Sequence, residues 1–364
     1  MKCGIIGPPN VGKSSLFNTL IKKEMAEVAN YAFCTINPNM ASVEYHDHRL
    51  YDINSITKAS KIIPTFLSFV DIAGIIKNAA SEGLGLGNKF LSEMTGVDVI
   101  IQVVRCFEKD YLGNSGDIQG DTDPINDMEY ILLELIYWDH NIWKKFCENK
   151  KNAHEFNHLL TQWFNKEPKP IREFLPTLGP KELEYYQKTL KNLSLISDKP
   201  MIIACNISHY DNDLERIIMV EEQCKKYNLP MTIICGNSYN NIKELSEEDK
   251  KDVLSMIGLQ DDGIDNLIAL AFQHTGLIQF FTTGEKETRA WRIVKGYTAQ
   301  QAAGVIHEDI SNNFINAEVL HWDTFMSNNG WDNCKQKGLI KVEGKNYIVQ
   351  DGDILVFKHG AKKK

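Results

Sequence analysis

Apolar positions fall into two alternating rhythms along the first part of the chain. Short apolar runs stand at Cys3–Ile6, Phe66–Asp71, Val97–Val104, Met201–Cys205 and Met231–Cys235, with helical stretches between several of them, beginning at Lys13–Lys23. Strand–helix alternation of this kind predicts a mostly parallel α/β sheet. The pattern changes at Asp127–Lys151, where Ile131, Leu132, Leu135, Trp138, Ile142, Trp143 and Phe146 recur at helical spacing. That is an amphipathic helix. A second helical pattern covers Ala153–Phe164, stopped by Pro168 and Pro170, and a third covers Pro180–Leu195. These three read as a helical hairpin packing on itself; a partner-binding tip is the sharper alternative. From Gly276 the chain turns to short strands, Ile278–Thr282, Thr288–Ile293 and Tyr347–Phe357, the last broken by an Asp351-Gly352 turn. One helix, Ala299–His307, completes a small α+β domain. The expected units are therefore 1–125 with 196–275, an inserted 126–195, and 276–360.

Composition narrows the class. At 364 residues, 43% hydrophobic and 24% charged, the chain has the make-up of a globular protein of two or three domains. No apolar run approaches the roughly 18–20 residues of a membrane span, and the N-terminus lacks a signal-peptide core. Eight cysteines include no C-x-x-C pair, which argues for reduced thiols in a cytoplasmic protein and against a zinc ribbon. The net charge of −8 argues against a general nucleic-acid coat. Its distribution is uneven: residues 126–195 are neutral, 276–364 carry +2, and the rest carry −10. Secreted, membrane and histone-like proteins are thereby excluded.

Gly7-Pro8-Pro9-Asn10-Val11-Gly12-Lys13-Ser14 fits G-x-x-x-x-G-K-[ST] between an apolar strand and a helix, the context of a phosphate loop. Its backbone N–H groups would wrap the phosphates, the helix N-terminus adding partial positive charge. Lys13 would reach the β- and γ-phosphates, and the Ser14 hydroxyl would bind Mg²⁺. Asp71 closes an apolar strand 58 residues after Lys13. It can hold the metal through water, while Gly74 leaves its N–H to approach the γ-phosphate. Thr35, in a polar stretch between, can complete the Mg²⁺ shell. The trio signals a nucleoside-triphosphate switch. Residue 75 is Ile, where many such switches keep a water-orienting Gln, so water must be positioned by backbone, Mg²⁺ or a monovalent cation. Asn10 is a candidate holder of such a cation, K⁺. Glu82–Asn88 carries three glycines and reads as a switch loop.

A guanine-specific enzyme of this class carries Asn-Lys-x-Asp after a strand, its carboxylate accepting the guanine N1 and N2 protons. Here the strand Met201–Cys205 leads into Asn206-Ile207-Ser208-His209. Asn206 can read N7 of either purine, but His209 offers no carboxylate, so ATP is the expected substrate. Cys235-Gly236-Asn237 is a further segment near the base or a plain strand-end turn.

The motifs together resemble the Obg-like ATPases of the YchF family. The likeness runs through Pro9–Ser14, Phe33–Asn39, Phe69–Gly74, Glu82–Leu91 and Val103–Phe107. In the C-terminal part, Arg289-Ala290-Trp291, Gln301–His307 and Val349–Asp353 resemble its TGS domain. The resemblance implies a P-loop NTPase G domain of Obg type, an inserted helical coiled coil and a C-terminal β-grasp TGS domain. It implies an ATPase tolerating GTP, with Mg²⁺ at Ser14 and Thr35. Asn10, Val11, Gly12, Lys13, Ser14 and Ser15 would bind phosphate, and Asn206 with the Ile207 backbone would face the base. Lys13, Thr35 and Gly74 are the catalytic candidates; Ser14, Thr35 and Asp71 are the metal candidates. The implied partners are the ribosome, its large subunit in particular, and RNA through the helical and TGS parts. No membrane contact is expected, and the chain is expected to be a monomer. Two residues depart from the family: His209 stands where Glu is usual. The loop Lys109–Ser115 holds Asn114, and no His, where many members place one.

Two other readings stay open on the residues. One is an Obg-type guanine-specific GTPase. The other is a nucleotide-gated RNA or protein adaptor with incidental hydrolysis, supported by Lys144-Lys145/Lys150-Lys151 and Lys335/Lys337/Lys341. His140, His154, His158 and His321 lack metal-ligand spacing and read as surface or core residues.

Overall fold

The computed structural model describes residues 1–28, 39–72, 93–107, 123–149, 154–164, 169–235 and 247–360, with side chains 25–28 among those left aside. The first half alternates as the apolar runs predict: β1 (Lys2–Ile6), α1 (Lys13–Val28), β2 (Met40–Tyr45), α2 (His48–Thr57), β3 (Lys61–Ile63), β4 (Thr65–Asp71) and β5 (Val99–Arg105). Two long helices follow, α3 (Pro124–Asn149) and α4 (His154–Phe164). Then come β6 (Met201–Asn206), α5 (Tyr210–Lys226), β7 (Met231–Ile234), α6 (Glu247–Met256) and α7 (Ile264–Gln273). The C-terminal part holds β8 (Leu277–Thr283), β9 (Glu287–Val294), α8 (Ala299–Ile306), β10 (Phe314–His321), β11 (Lys341–Glu343) and β12 (Asp353–His359). They form two compact units, residues 1–43 with 67–271, and residues 44–66 with 272–364.

The first unit is built on a six-stranded sheet in the order β2-β4-β1-β5-β6-β7, with β4-β1-β5-β6-β7 paired in parallel. Every residue of β5 and β6 is buried, as continuous Val/Ile runs require in a sheet covered on both faces. In a parallel sheet the loops that follow the strands gather at one edge, and the ends of β1, β4, β5 and β6 come together there.

The helical insert belongs to this same unit. Ile131, Leu135 and Trp143 of α3 and Trp163 of α4 share one core with Ile100 of β5 and Met201 and Ile203 of β6. The Trp143 and Trp163 rings stack at 5.5 Å, and Trp163 Nε1 donates to Lys169 O at 2.6 Å. The insert thus packs on the sheet as well as on itself. The third expected helix, Pro180–Leu195, is divided: an α-helical turn at Pro180–Tyr185 gives way to a π turn at Tyr186–Leu190 and a 3₁₀ turn at Lys191–Leu193. Asp139 ties this irregular stretch down. Fully buried in α3, its carboxylate accepts from Ile196 N and Ser197 N, both at 2.7 Å, and from Ser197 Oγ at 2.5 Å.

The second unit is a mixed sheet in the order β11-β10-β12-β8-β9-β3. Here β10 runs antiparallel to β11 and β12, β8 antiparallel to β9, and β12 parallel to β8. One face packs Ile278, Phe280, Ile293 and Val319 against Ala299 and Ala302 of α8. The other packs Phe281, Leu320 and Ile354 against Leu50 and Ile53 of α2 and the turns at Trp322–Ser327 and Trp331–Gln336.

Residues 44–66 are the departure from the expected division, which placed them in the nucleotide-binding unit. Strand β3 adds in parallel to the edge strand β9, with Ile63 opposite Arg289. Arg49 of α2 bonds Asp47 (Nη2 to Oδ2, 2.7 Å) and Asp351 (Nη1 to Oδ2, 2.7 Å). Thr57, Thr283 and Thr288 join their hydroxyls, Thr57 to Thr288 at 3.2 Å and Thr283 to Thr288 at 2.8 Å. A three-residue strand has no readable alternation, and its partners lie more than 200 residues away.

Candidate nucleotide site

The loop between β1 and α1 carries the phosphate-binding pattern, and its backbone has the required shape. Gly7, Asn10 and Gly12 take positive φ values of +152°, +62° and +100°. A Cβ on Gly7 would lie 2.7 Å from Val103 O, and one on Gly12 2.1 Å from Asn206 Nδ2. The two glycines let the loop pass close to β5 and β6. Val11 is buried, and Gly12, Lys13 and Ser15 are half-buried. Lys13 Nζ donates to Pro8 O at 2.6 Å, folding its ammonium back over the loop. The helix below is secured by Leu16 N donating to Gly12 O at 2.9 Å and Thr19 Oγ1 to Ser15 O at 3.0 Å. Ser14 is exposed at the first turn of α1.

Asp71 ends β4 beside this loop, opposite Ile5 in register, and Ile72 N donates to Ile5 O at 3.2 Å. Burial raises the Asp71 carboxyl, opposed by the Lys13 charge and reinforced by Glu93. Burial likewise lowers Lys13, opposed by the Asp71 charge. Each group disfavours the other's neutralisation, the behaviour of a cation and an anion in one partly dry site. Ser14 Oγ and the Asp71 carboxylate are hard oxygen donors of the kind Mg²⁺ takes along with phosphate oxygens and water. Among the described residues no three His, Cys, Asp or Glu side chains gather as a metal cage. Thr35, Gly74, Ile75, the Glu82–Leu91 segment, Lys109–Ser115, Gly236 and Asn237 lie outside the described residues.

Strand β6 delivers the base-side group. Asn206 is 4% exposed, and its Nδ2 donates to Val11 O at 3.0 Å, fastening the strand end to the phosphate loop. Ile207 is buried and its N–H donates to Ile234 O at 3.0 Å, leaving only its carbonyl for a base. Asp213, outside the motif, organises the next turn. Buried in α5, its Oδ2 accepts from Ser208 N at 2.7 Å, Ser208 Oγ at 3.1 Å and His209 N at 3.1 Å. An Asp four residues beyond the motif, in the first turn of a helix, was the signal available for it. Of the other histidines, the His140 ring stacks on Phe164 at 3.9 Å, His158 is exposed, and His321 Nε2 lies 3.1 Å from Asp351 O.

A phosphate loop between β1 and α1 of a parallel sheet, with an Asp at the end of the neighbouring strand, defines the P-loop nucleoside-triphosphate hydrolase class of the GTPase type. A family model described as a 50S ribosome-binding GTPase matches residues 2–136. The C-terminal model of the YchF GTPases, described as a protein of unknown function, matches residues 277–360. A Bacillus subtilis protein named ribosome-binding ATPase YchF is 39% identical over 373 residues, covering 98% of this chain and 99% of that one. The Escherichia coli O157:H7 protein of the same name is 36% identical over 367 residues, with 98% of each chain covered. The solved Schizosaccharomyces pombe YchF GTPase superposes with a TM-score of 0.82 at 30% identity, covering 98% of this chain and 97% of the other. The chain belongs to the YchF family.

Proposed function

We propose that this protein is a ribosome-associated ATPase that hydrolyses ATP to ADP and phosphate, accepts GTP as a second substrate, and acts as a nucleotide-dependent switch in translation or the stress response. The observation carrying this reading is the meeting of Lys13, which opens α1 after the phosphate-shaped loop that follows β1, with Asp71, which ends the adjacent parallel strand β4. The Asn10–Ser15 backbone and side chains hold the phosphates, and Lys13 stabilises charge developing on the γ-phosphoryl oxygens. Ser14 and Thr35 would hold Mg²⁺, with Asp71 acting through water, and the ion when bound would supply charge neutralisation at the phosphates. Gly74 supplies an N–H to the γ-phosphate, and Asn10 is the candidate ligand for K⁺. Ribosome binding is supported by the names of the Bacillus subtilis and Escherichia coli relatives. Contact with the large subunit and with RNA is assigned to the helical insert (126–195) and the 276–360 TGS-like part. Lys144 and Lys145 of the insert, and Lys335, Lys337 and Lys341 of the C-terminal part, are exposed. No helix among the described residues is long and apolar enough to cross a membrane. We assign the protein to the cytoplasm, as a monomer.

Phosphate release from ATP by wild type and Lys13→Ala, with and without Mg²⁺, tests the reading. Wild type should turn over only with Mg²⁺, and the variant should lose at least about a hundredfold, the scale of removing a transition-state charge partner. Undiminished hydrolysis by Lys13→Ala would overturn it. Cosedimentation with 50S subunits, dependent on nucleotide, tests the partner.

A further inference from the structure

We propose that Lys199 is a positioning residue that ties the nucleotide site to the helical insert, so that the motions of the insert change when a triphosphate binds. The proposal rests on the nucleotide-site reading above and names the element to which that site reports.

The tie begins at the end of β4. The side chain after Asp71 is Ile72, fully buried. A Cβ on Gly4 of β1 would lie 2.7 Å from Ile72 Cδ1 and 3.1 Å from Val97 Cγ1, so both side chains close over the bare glycine. Ile72, Met94 and Val97 share one core. Charge joins the same two places, since Glu93 raises the Asp71 carboxyl. The backbone of this second segment holds Lys199. Its Nζ donates to Met94 O at 2.9 Å, Thr95 O at 3.0 Å and Val97 O at 2.5 Å. An ammonium has three N–H groups, and all three are engaged here.

Lys199 is joined in turn to the insert. Its backbone N–H donates to Ile196 O at 3.1 Å, and Asp139 of α3 accepts from Ile196 N and Ser197 N, both at 2.7 Å. From the other side, Ile171 N donates to Ser197 Oγ at 3.1 Å and Arg172 Nη1 to Ser197 O at 3.2 Å. A displacement passes along such a path because no link can absorb it. A close-packed core has no free volume to yield, and the ammonium cannot shift without losing a charge-assisted bond. A ligand that stiffens the end of β4 therefore acts on residues 93–97, on Lys199 and on α3 in turn. The coupling is reciprocal: a partner that fixes α3 tightens nucleotide binding by the same factor.

Hydrogen exchange of the full chain tests this, with and without the Mg²⁺ complex of the β,γ-imido analogue of ATP, in wild type, Lys199→Met, Asp139→Asn and Lys188→Met. Lys188 is an exposed lysine of the insert, paired only with Glu184 among the described residues, and serves as the control. In wild type the analogue should slow exchange in the phosphate loop and, by at least about fivefold, in α3. Lys199→Met should keep the slowing in the loop, with affinity within about threefold of wild type, and lose it in α3. Asp139→Asn should carry it to residues 93–97 and lose it in α3. Lys188→Met should respond as wild type does. Slowing of α3 that survives in Lys199→Met overturns the proposal, as does a wild-type α3 that ignores the analogue while the loop responds. A response lost equally in Lys188→Met also overturns it, since any change in the insert would then suffice. Should Lys199→Met fail to fold, slowing of α3 that survives in Asp139→Asn overturns the proposal instead. If the wild-type loop itself does not respond, the nucleotide-site reading has failed, and this proposal falls with it.

Discussion

A methyl group at residue 12 has nowhere to go. It would sit 2.1 Å from Asn206 Nδ2 on a backbone at φ +100°, where side chains are strained whatever the space. In Gly12→Ala either the phosphate loop opens or Asn206 lets go of Val11 O, and both disturb the nucleotide's contacts. ATP affinity is expected to fall at least about tenfold by isothermal titration, about 1.4 kcal/mol or more. Affinity equal to wild type would show that the loop accommodates the methyl and that the Asn206–Val11 strap does not matter. The same residues show what was legible in the sequence. Gly7 to Ser14 could be read because a phosphate loop is made by consecutive residues with fixed backbone demands. Asp213 offers only a general cue, an Asp in the first turn of a helix, because its particular role depends on which amides of the 206–209 turn other strands leave over. Ile207 N–H is one such case: it is taken by Ile234 of β7, a strand pairing that no local pattern announces.

Among the elements, the helical insert was legible in its apolar stripe and not in its polar anchor. Ile131, Leu135 and Trp143 recur at helical spacing and are buried together. Asp139 lies in the same helix and reads like a solvent-facing acid until Ile196 and Ser197, more than 50 residues later, supply its donors. Its burial has a measurable sign. Desolvation raises the carboxyl to about 6 from 3.8, against the lowering by the Ser197 and Ile196 hydrogen bonds. Between those values the folded chain holds a proton that the unfolded chain has released, so this group's contribution to stability grows as pH falls from 6 towards 4. The full window is worth about 3 kcal/mol. Asp139→Asn cannot titrate, and its amide sets N–H groups against a donor. Urea denaturation should show the variant less stable at pH 7, with the wild-type advantage widening at pH 5. An advantage that narrows on acidification would refute the assignment.

At the scale of the whole molecule, the chain passes between the two units early: residues 44–66, running on from β2, belong to the second unit and supply it with α2 and β3. The zoning of charge could suggest where the units begin, but not this passage, since its determinants are an arginine and three threonines whose partners are remote in sequence. Arg49 is the strongest of them. Its guanidinium lies between Asp47, 3% exposed, and Asp351, and stands 5.4 Å from the centre of the Phe281 ring. Burial lowers Arg49, but the two carboxylates outweigh it and raise it above its ordinary value. Removing one partner of a buried pair leaves the other charge uncompensated, at about 3 kcal/mol or more. Arg49→Met keeps the length of the side chain and removes the charge, so Asp47 and the cap it gives to α2 should fail first. Hydrogen exchange should quicken at 44–66 and at β8 and β12, with β1, β5 and β6 unchanged. In Asp139→Asn the quickening should instead fall on 196–199 and α3. Faster exchange spread evenly over both sheets in either variant would show that the cores fold as one cooperative body.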